Sequence, residues 1–165
     1  MKITSKALAV LAASLTVAAS AHAGPAEDNA RRFFELYDAH EVEAMVDLFA
    51  EDGTVAYVPL GAEGPVEEVG RQSWSGLIDA FPDLANEVRT IRETADGRFA
   101  YVDVDISGTQ ARDAFGIENE GKAYAVRHLF VVGVDEDGAI TEMTAFWDNA
   151  SWYRQLGRTE LGQGE

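Results

Sequence analysis

The stretch Asp135–Asp148, DEDGAITEMTAFWD, contains a turn followed by one complete strand, and the rest of the sheet can be worked out from it. Its Asp137-Gly138 pair is typical of a tight hairpin turn, because Gly reaches a positive φ at no steric cost. Tyr124–Val134, rich in Val, Phe and Leu, precedes the turn, and Ile140–Trp147 follows it. The pattern predicts two antiparallel strands joined by a hairpin.

Asp148, at the end of the second strand, is the strongest catalytic candidate in the chain. If its face of the strand points inward, the carboxylate lies at the rim of a pocket and can exchange a proton with a bound molecule. An Asp that follows a strand and precedes a polar segment is also typical of a helix N-cap, and the residues alone leave both roles open. Strand alternation places four other residues on the face of Asp148: Ile140, Glu142, Thr144 and Phe146.

His128, in the first strand of the hairpin, is the second catalytic candidate. Alternation places it on an apolar face with Tyr124 and Phe130. A histidine on such a face is commonly a hydrogen-bonded core residue. Across the hairpin, however, lies the face predicted to carry Glu142 and Asp148, and an imidazole beside a carboxylate forms an acid/base pair.

The remaining segments predict one α+β domain. Helical spacing of apolar residues predicts two helices that end by Gly53 and a third that carries Trp74 and stops at Pro82. Helices packed on one face of a curved, mostly antiparallel sheet leave a conical cavity between the two layers. Gly61–Gly70 reads as a loop, and the further predicted strands are Thr54–Leu60, Glu87–Ala95 and Phe99–Thr109.

Aromatic side chains and one acid are predicted to line this cavity. Tyr57 or Tyr124 can hold a developing oxyanion, because a phenol donates a hydrogen bond. Aromatic residues on an amphipathic helix are also typical of a core, so both roles stay open for Trp74 and Phe81. The candidate substrate-binding residues are Tyr57, Trp74, Phe81, Tyr124, Phe130, Glu142 and Phe146.

Residues 1–23 have the pattern of a secretory signal peptide. Lys2 and Lys6 precede an apolar run, and Ala21-His22-Ala23 is a small-x-small cleavage site. The apolar run is shorter than the roughly 20 residues that span a bilayer. The sequence therefore predicts export to the periplasm or the medium, with cleavage before Gly24 and a single domain over residues 24–165.

The mature chain is strongly acidic and has no cysteine. Without the two leader lysines it has 11 Lys and Arg against 29 Asp and Glu, a formal net charge of −18. Such a surface repels nucleic acid and anionic membranes, so neither is expected as a partner after cleavage. His40 and His128 are far apart in sequence, and no Gly-rich phosphate loop is present, so no metal or cofactor is predicted.

Five motifs together resemble a known family. They are Phe81-Pro82-Asp83, Gly108-Thr109, Asp137–Glu142, Asp148 and Gln155-Leu156-Gly157. In this order and spacing they are similar to the SnoaL-like polyketide cyclases, or ester cyclases, of the nuclear-transport-factor-2-like superfamily, over about residues 28 to 157. The resemblance implies a cone-shaped α+β barrel, in which a curved, mostly antiparallel sheet wraps around N-terminal helices.

The resemblance also implies an activity and an assembly. Members of known activity close a ring by intramolecular aldol condensation without metal or cofactor, and Asp148 matches their acid/base residue. The chain departs from them at Gln110, where members often have a histidine. Members commonly pair through the outer sheet face, and Phe99 and Tyr101 on that predicted face indicate a homodimer.

Two hypotheses of different classes follow, and a third is less well supported. The first is a cofactor-free acid/base catalyst that acts on a small apolar carbonyl compound, through Asp148 and His128. The second is an exported protein of the same fold that binds an apolar ligand without catalysis. The third, epoxide hydrolysis, needs an Asp-Arg-Asp set around a water, and Arg127 and Asp103 are predicted on the wrong faces for it.

Overall fold

A six-stranded sheet, curved but not closed, forms one layer of the domain, and the helices lie on its concave side. The computed structural model describes residues 23–158, and the predicted leader lies outside them except for Ala23. The α+β class and the cone-like architecture are confirmed. The helices are α1 (Pro25–Asp38), α2 (Val42–Val46), α3 (Arg71–Ala80) and α4 (Asn149–Gln155). The strands are β1 (Phe49–Tyr57), β2 (Ala62–Pro65), β3 (Ala85–Glu93), β4 (Phe99–Thr109), β5 (Ala123–Val134) and β6 (Ile140–Trp147).

The strand order is β2-β1-β6-β5-β4-β3, and all neighbours are antiparallel except β1 and β6, which are parallel. The predicted hairpin between β5 and β6 is confirmed. The amide of Gly138 donates to the carbonyl of Asp135 over 3.2 Å, and the φ of Gly138 is +91°. β6 therefore joins the hairpin strands to the N-terminal part of the sheet.

Two predicted segments differ from the structure. The second helix was expected to continue to Phe49 and to end at Gly53, but it ends at Val46, and β1 already begins at Phe49. The amide of Ile140 donates to the Leu48 carbonyl over 2.9 Å, so pairing with a distant strand overrides the local helical pattern. The predicted loop Gly61–Gly70 contains β2, which pairs with β1, and a helical turn that leads into α3.

The core lies between α1 and the concave face of the sheet. Phe33 is fully buried, and its ring makes edge contacts with Phe34 at 5.3 Å and with Trp74 at 5.2 Å between centroids. Phe34 in turn contacts Phe130 of β5 at 5.1 Å. β4 contributes one wholly apolar face to this core, because Ala100, Val102, Val104 and Ile106 are almost completely buried. Within residues 23–158, no helix is both long and apolar enough to cross a bilayer.

Candidate functional site

An aromatic cavity lies between the concave face, α1, α3 and α4. Its free volume is about 90 Å³. No acidic or basic side chain apart from a histidine lines it within the described part of the chain. Its lining consists of Tyr37, Tyr57, Leu60, Ser73, Trp74, Leu77, Ile106, Phe115, Tyr124, His128, Phe130, Ala145, Trp147 and Trp152.

His128 lines this cavity from β5, as alternation along the strand predicts. Its imidazole ring stacks on Phe130 at 6.0 Å and lies against Trp147 at 5.3 Å between centroids. The Nδ1 atom is 2.8 Å from the Val126 carbonyl oxygen, which can only accept a hydrogen bond. Nδ1 therefore carries the proton in the neutral ring, and the lone pair is on Nε2. Burial among these rings lowers the pKa of His128 to about 4, so the imidazole is neutral at pH 7.

Tyr57, at the end of β1, supplies a buried hydroxyl to the same cavity. Its oxygen has no hydrogen bond of regular geometry within residues 23–158. Burial raises the pKa of Tyr57, and the nearby Ser73 and Trp74 side chains oppose only part of that rise. A buried hydroxyl without a partner is costly, and a bound acceptor such as a carbonyl oxygen would satisfy it.

Tyr37 and Tyr124 add two further phenols. Burial raises the pKa of both hydroxyl groups, so both stay protonated at neutral pH. The site thus combines one neutral imidazole with phenolic donors in apolar surroundings. That arrangement can remove a proton from a neutral molecule and hydrogen-bond to an oxygen that gains negative charge.

The structure brings five of the predicted site residues together at the cavity: Tyr57, Trp74, Tyr124, His128 and Phe130. Phe81, which was predicted to bind substrate, does not line it. It is fully buried behind Tyr124, with the two ring centroids 4.9 Å apart, and belongs to the core.

Glu142 and Phe146 were predicted to face the cavity, and this placement is wrong. In β6, Ile140 pairs with Val134, but Glu142 pairs with the adjacent Gly133, so Thr141 is an extra residue that forms a bulge. Ile140 points inward, and beyond the bulge each residue of β6 faces the side opposite to the one that regular alternation from Ile140 predicts. Glu142 and Phe146 therefore lie on the outer face, and Met143, Ala145 and Trp147 point inward instead.

Asp148 is exposed and lies outside the cavity lining. Its carboxylate accepts a hydrogen bond from the amide of Ser151 over 2.9 Å and caps the N-terminus of α4. The expected position at the end of an inward-facing row is wrong, because the bulge turns that row outward. The capping alternative is the one that the structure shows.

Nine cavity residues were not among the predicted site residues, and four of them are aromatic: Tyr37, Phe115, Trp147 and Trp152. The sequence contained a signal for Trp147, since an isolated glycine within a strand pattern, here Gly133, indicates a bulge in the pair. Tyr37 and Trp152 occupy apolar helix positions that are typical of a core. Their contact with the cavity depends on how the helices lie across the sheet.

The outer sheet face carries the charged pairs that were predicted to lie away from the cavity. Arg127 binds Asp103, with Nε 2.6 Å from Oδ1, and Arg89 binds Asp105, with Nε 2.6 Å from Oδ2. Arg127 and Asp103 therefore cannot form an Asp-Arg-Asp set inside the cavity. Within residues 23–158, no three acidic or histidine side chains are grouped closely enough to hold a metal ion.

Several solved structures share this fold. IdmH from Streptomyces antibioticus, a candidate polyketide cyclase, is 22% identical, with a TM-score of 0.67 over 79% of this chain and 96% of that chain. A candidate polyketide cyclase from Silicibacter sp. is 19% identical, with a TM-score of 0.67 over 78% of this chain and 92% of that chain. AclR from Streptomyces galilaeus, a candidate hydroxylase, is 14% identical, with a TM-score of 0.70 over 81% and 96%. These similarities establish the fold.

No curated protein matches the sequence. The family model of the SnoaL-like domain matches residues 30–143, which run from within α1 to the first half of β6 and include β1 to β5. This match spans more than half of the chain and agrees with the architecture. The chain therefore belongs to the SnoaL-like domain family.

Proposed function

We propose that this protein is an exported, cofactor-free acid/base catalyst of the cyclase (aldol) or isomerase type, acting on a small apolar carbonyl compound in the cavity. One observation carries the proposal. The neutral His128 has its proton fixed on Nδ1, and it shares an apolar cavity with the hydroxyl of Tyr57, which has no hydrogen bond of regular geometry within residues 23–158. A base and a hydrogen-bond donor for an oxyanion are thus supplied by side chains alone.

The chemistry starts at a carbon next to the carbonyl group. Nε2 of His128 accepts a proton from that carbon, and the Tyr57 hydroxyl donates a hydrogen bond to the enolate oxygen that forms. The enolate carbon then attacks a second carbonyl, in an aldol closure, or takes a proton at another carbon, in an isomerisation. The proton on Nε2 goes to the alkoxide or to that carbon. Because the buried imidazolium is unfavourable, it gives up the proton readily.

The alternative is a non-catalytic protein that binds an apolar ligand. One observation favours it: no carboxylate lines the cavity among the described residues, and Asp148, which matches the acid/base residue of the family, is a helix cap. The two functions differ in what His128 does. In a catalyst it moves a proton, whereas in a binding protein it only contributes one wall of the cavity.

Solvent deuterium exchange separates the two functions. Phenylacetone is a small apolar ketone, and its α-protons are followed by NMR in D₂O with the purified mature protein. His128→Gln should reduce the catalysed exchange by about a hundredfold to ten-thousandfold, because it removes the general base. Asp148→Asn is the matched control and should exchange within about twofold of wild type, because Asn caps a helix as well as Asp does.

Three outcomes contradict parts of this assignment. Loss of exchange in Asp148→Asn, with His128→Gln unaffected, would transfer the base role to Asp148. Equal exchange rates in wild type, His128→Gln and Asp148→Asn would show that His128 does not act as the base. Saturable ketone binding without any exchange above the buffer rate would establish the binding protein instead.

A homodimer through the outer sheet face is part of the proposal. Three large apolar side chains of that face are unusually exposed: Tyr101 at 44%, Leu129 at 43% and Phe146 at 39%. Leu129 pairs with Phe146 of β6, and Val131, the next residue on that face of β5, pairs with Tyr101 of β4, so apolar residues form a continuous patch across β4, β5 and β6. Contiguous exposed apolar surface of this kind is typical of an interaction site.

Export is likewise proposed, on the basis of the leader. The positive start, the short apolar run and the small-x-small site of residues 1–23 support it. Export agrees with a chain that has no cysteine and that forms one continuous hydrophobic core over residues 26–156.

A further inference from the structure

A short hairpin lies at the mouth of the aromatic cavity. Ala114 and Ile117 exchange two backbone hydrogen bonds, of 3.2 and 2.9 Å, across a two-residue turn. The two turn residues, Phe115 and Gly116, have φ values of +54° and +70°. Positive φ at both central positions defines a type I′ turn, for which Asn-Gly and Gly-Gly are the favoured sequences.

Phe115 is an unfavourable residue for its position in this turn. Within residues 23–158, only His40 and Phe115 have a positive φ without being glycine. A bulky side chain in the left-handed region is a genuine outlier, and such strain persists only where the surroundings impose it. The structure therefore holds a phenylalanine at a point where a smaller residue would make a better turn.

Buried contacts fix the hairpin from behind. The side-chain amide of Gln110, which is 2% exposed, donates to the Ile117 carbonyl over 3.2 Å. The amide of Ala111 donates to the carbonyl of Ala80 at the end of α3 over 2.8 Å. These bonds tie the base of the hairpin to the rest of the domain, so the tip cannot relax independently.

The Phe115 ring forms a solvent-exposed part of the cavity wall. It contacts Trp152 at 5.6 Å between centroids, yet 39% of its surface is exposed to solvent. The free volume behind it is about 90 Å³, whereas an apolar cavity of about 150 Å³ is known to take up benzene. A ligand larger than benzene therefore needs the wall to move, and Phe115 and Leu60 are the two wall residues that are most exposed to solvent.

We propose that Phe115 is the size filter of the cavity. Its ring, held by a left-handed backbone, covers the mouth and determines how large a molecule can reach His128 and Tyr57. The strained turn is then the cost of placing an aromatic ring at this point. This inference rests on the proposed function only in treating the cavity as the binding site, and its test requires no substrate.

The tryptophans make the test independent of any ligand. The chain has three, and all of them line the cavity: Trp74, Trp147 and Trp152. Tryptophan fluorescence thus reports on access to the cavity walls. Acrylamide and the larger nitroxide TEMPOL are both neutral quenchers, so the negative charge of the protein does not bias the comparison. The ratio of the TEMPOL quenching constant to the acrylamide quenching constant measures size selection.

Phe115→Ala and Phe115→Gly should each raise the TEMPOL-to-acrylamide ratio at least twofold over wild type. Phe146→Ala is the matched control, because Phe146 is equally exposed, at 39%, but lies on the outer sheet face. Its ratio should equal that of wild type. An unchanged ratio in both Phe115 variants, or an equal rise in Phe146→Ala, would overturn the proposal.

The same two variants test the backbone strain. Both lack the ring, so a difference in their melting temperatures isolates the cost of a Cβ atom at positive φ. Phe115→Gly should melt a few degrees above Phe115→Ala. If Phe115→Ala is equally or more stable, the tip is not held in the left-handed region, and the ring is not fixed over the mouth. If His128→Gln did not alter deuterium exchange, the quenching ratio and the melting temperatures of the Phe115 variants would still be as expected. The two proposals can therefore be refuted independently.

Discussion

The protonation state of His128 is set by one backbone carbonyl and by the rings around it. The Val126 carbonyl fixes the proton on Nδ1, and the apolar walls disfavour a second proton on Nε2. The charge of Asp105 acts from the outer side of the sheet and opposes this effect only in part. A pKa of about 4 keeps Nε2 available as an acceptor across the neutral range, although it makes the imidazole a weak base.

The depressed pKa of His128 has a consequence for stability. Its pKa is about 4 in the folded protein and about 6.5 in an unfolded chain, so between these values the unfolded state binds more protons. The free energy of unfolding should therefore fall as the pH drops from about 6.5 to about 4, by at most about 3 kcal/mol from this residue. Urea unfolding at pH 7 and pH 4.5 measures the loss.

His128→Gln is the reference for this measurement, because it removes the titrating group and leaves all the carboxylates in place. The variant should lose less stability than wild type over the same pH interval. Equal losses in the two proteins would mean that His128 is protonated as easily in the folded state as in the unfolded state.

At the scale of the elements, the bulge at Thr141 decides which side of β6 faces the cavity. Gly133 makes room for it, since a Cβ atom there would lie 2.8 Å from Cγ of Glu142 and 2.9 Å from Cε1 of Phe99. Gly133 therefore lies beneath two side chains of the outer face. The inward position of Trp147, and with it one wall of the His128 site, follows from this local geometry.

Gly133→Ala should destabilise the protein by about 1–3 kcal/mol, because the new methyl group overpacks the outer face above the bulge. Gly76→Ala is the matched control, since a Cβ atom on that exposed helical glycine meets nothing within 4 Å. It should stabilise the fold by about 0.5–1 kcal/mol. Phe99→Ala should relieve part of the cost of Gly133→Ala, with a coupling above about 0.5 kcal/mol in urea unfolding. Additive effects would contradict the predicted clash.

The fold could be predicted from sequence, whereas half of the site could not. Hairpin turns and apolar alternation in β4 and β5 are local signals, so they place His128, Tyr124 and Phe130 correctly. The face of β6 depends on one extra residue, and a shift of one residue exchanges the two faces of a strand. Glu142 and Phe146 were misplaced for that reason. Phe115 belongs to an irregular loop whose path over the cavity depends on tertiary contacts.

At the scale of the whole molecule, charge and exposed apolar surface act against each other. Without its predicted leader the chain carries a formal charge of −18, which drives copies of it apart. The patch around Leu129 and Phe146 favours association, and the pairs of Arg127 with Asp103 and of Arg89 with Asp105 neutralise the acids beside it. The equilibrium between monomer and dimer should therefore depend on the salt concentration.

Sedimentation velocity should show a dimer that becomes tighter as the salt concentration rises, because salt screens the repulsion between the two acidic subunits. Leu129→Asp should shift the protein to monomer by placing a charge in the interface. Val58→Asp is the charge-matched control, on a side chain that is 52% exposed and lies outside the patch, and it should leave the dimer intact. A monomer at every salt concentration, or equal effects of the two variants, would refute the outer-face dimer.

The parallel pairing of β1 with β6 also sets the order in which the chain can fold. β6 is the last strand to be synthesised, yet it lies inside the sheet, between β1 and β5. Until residues 140–147 emerge, β1 and β2 have no connection to the other three strands, and the sheet remains in two parts. Long-range pairings of this kind form slowly, because a large loop must close first. The complete sheet can therefore form only when synthesis of the chain is nearly finished.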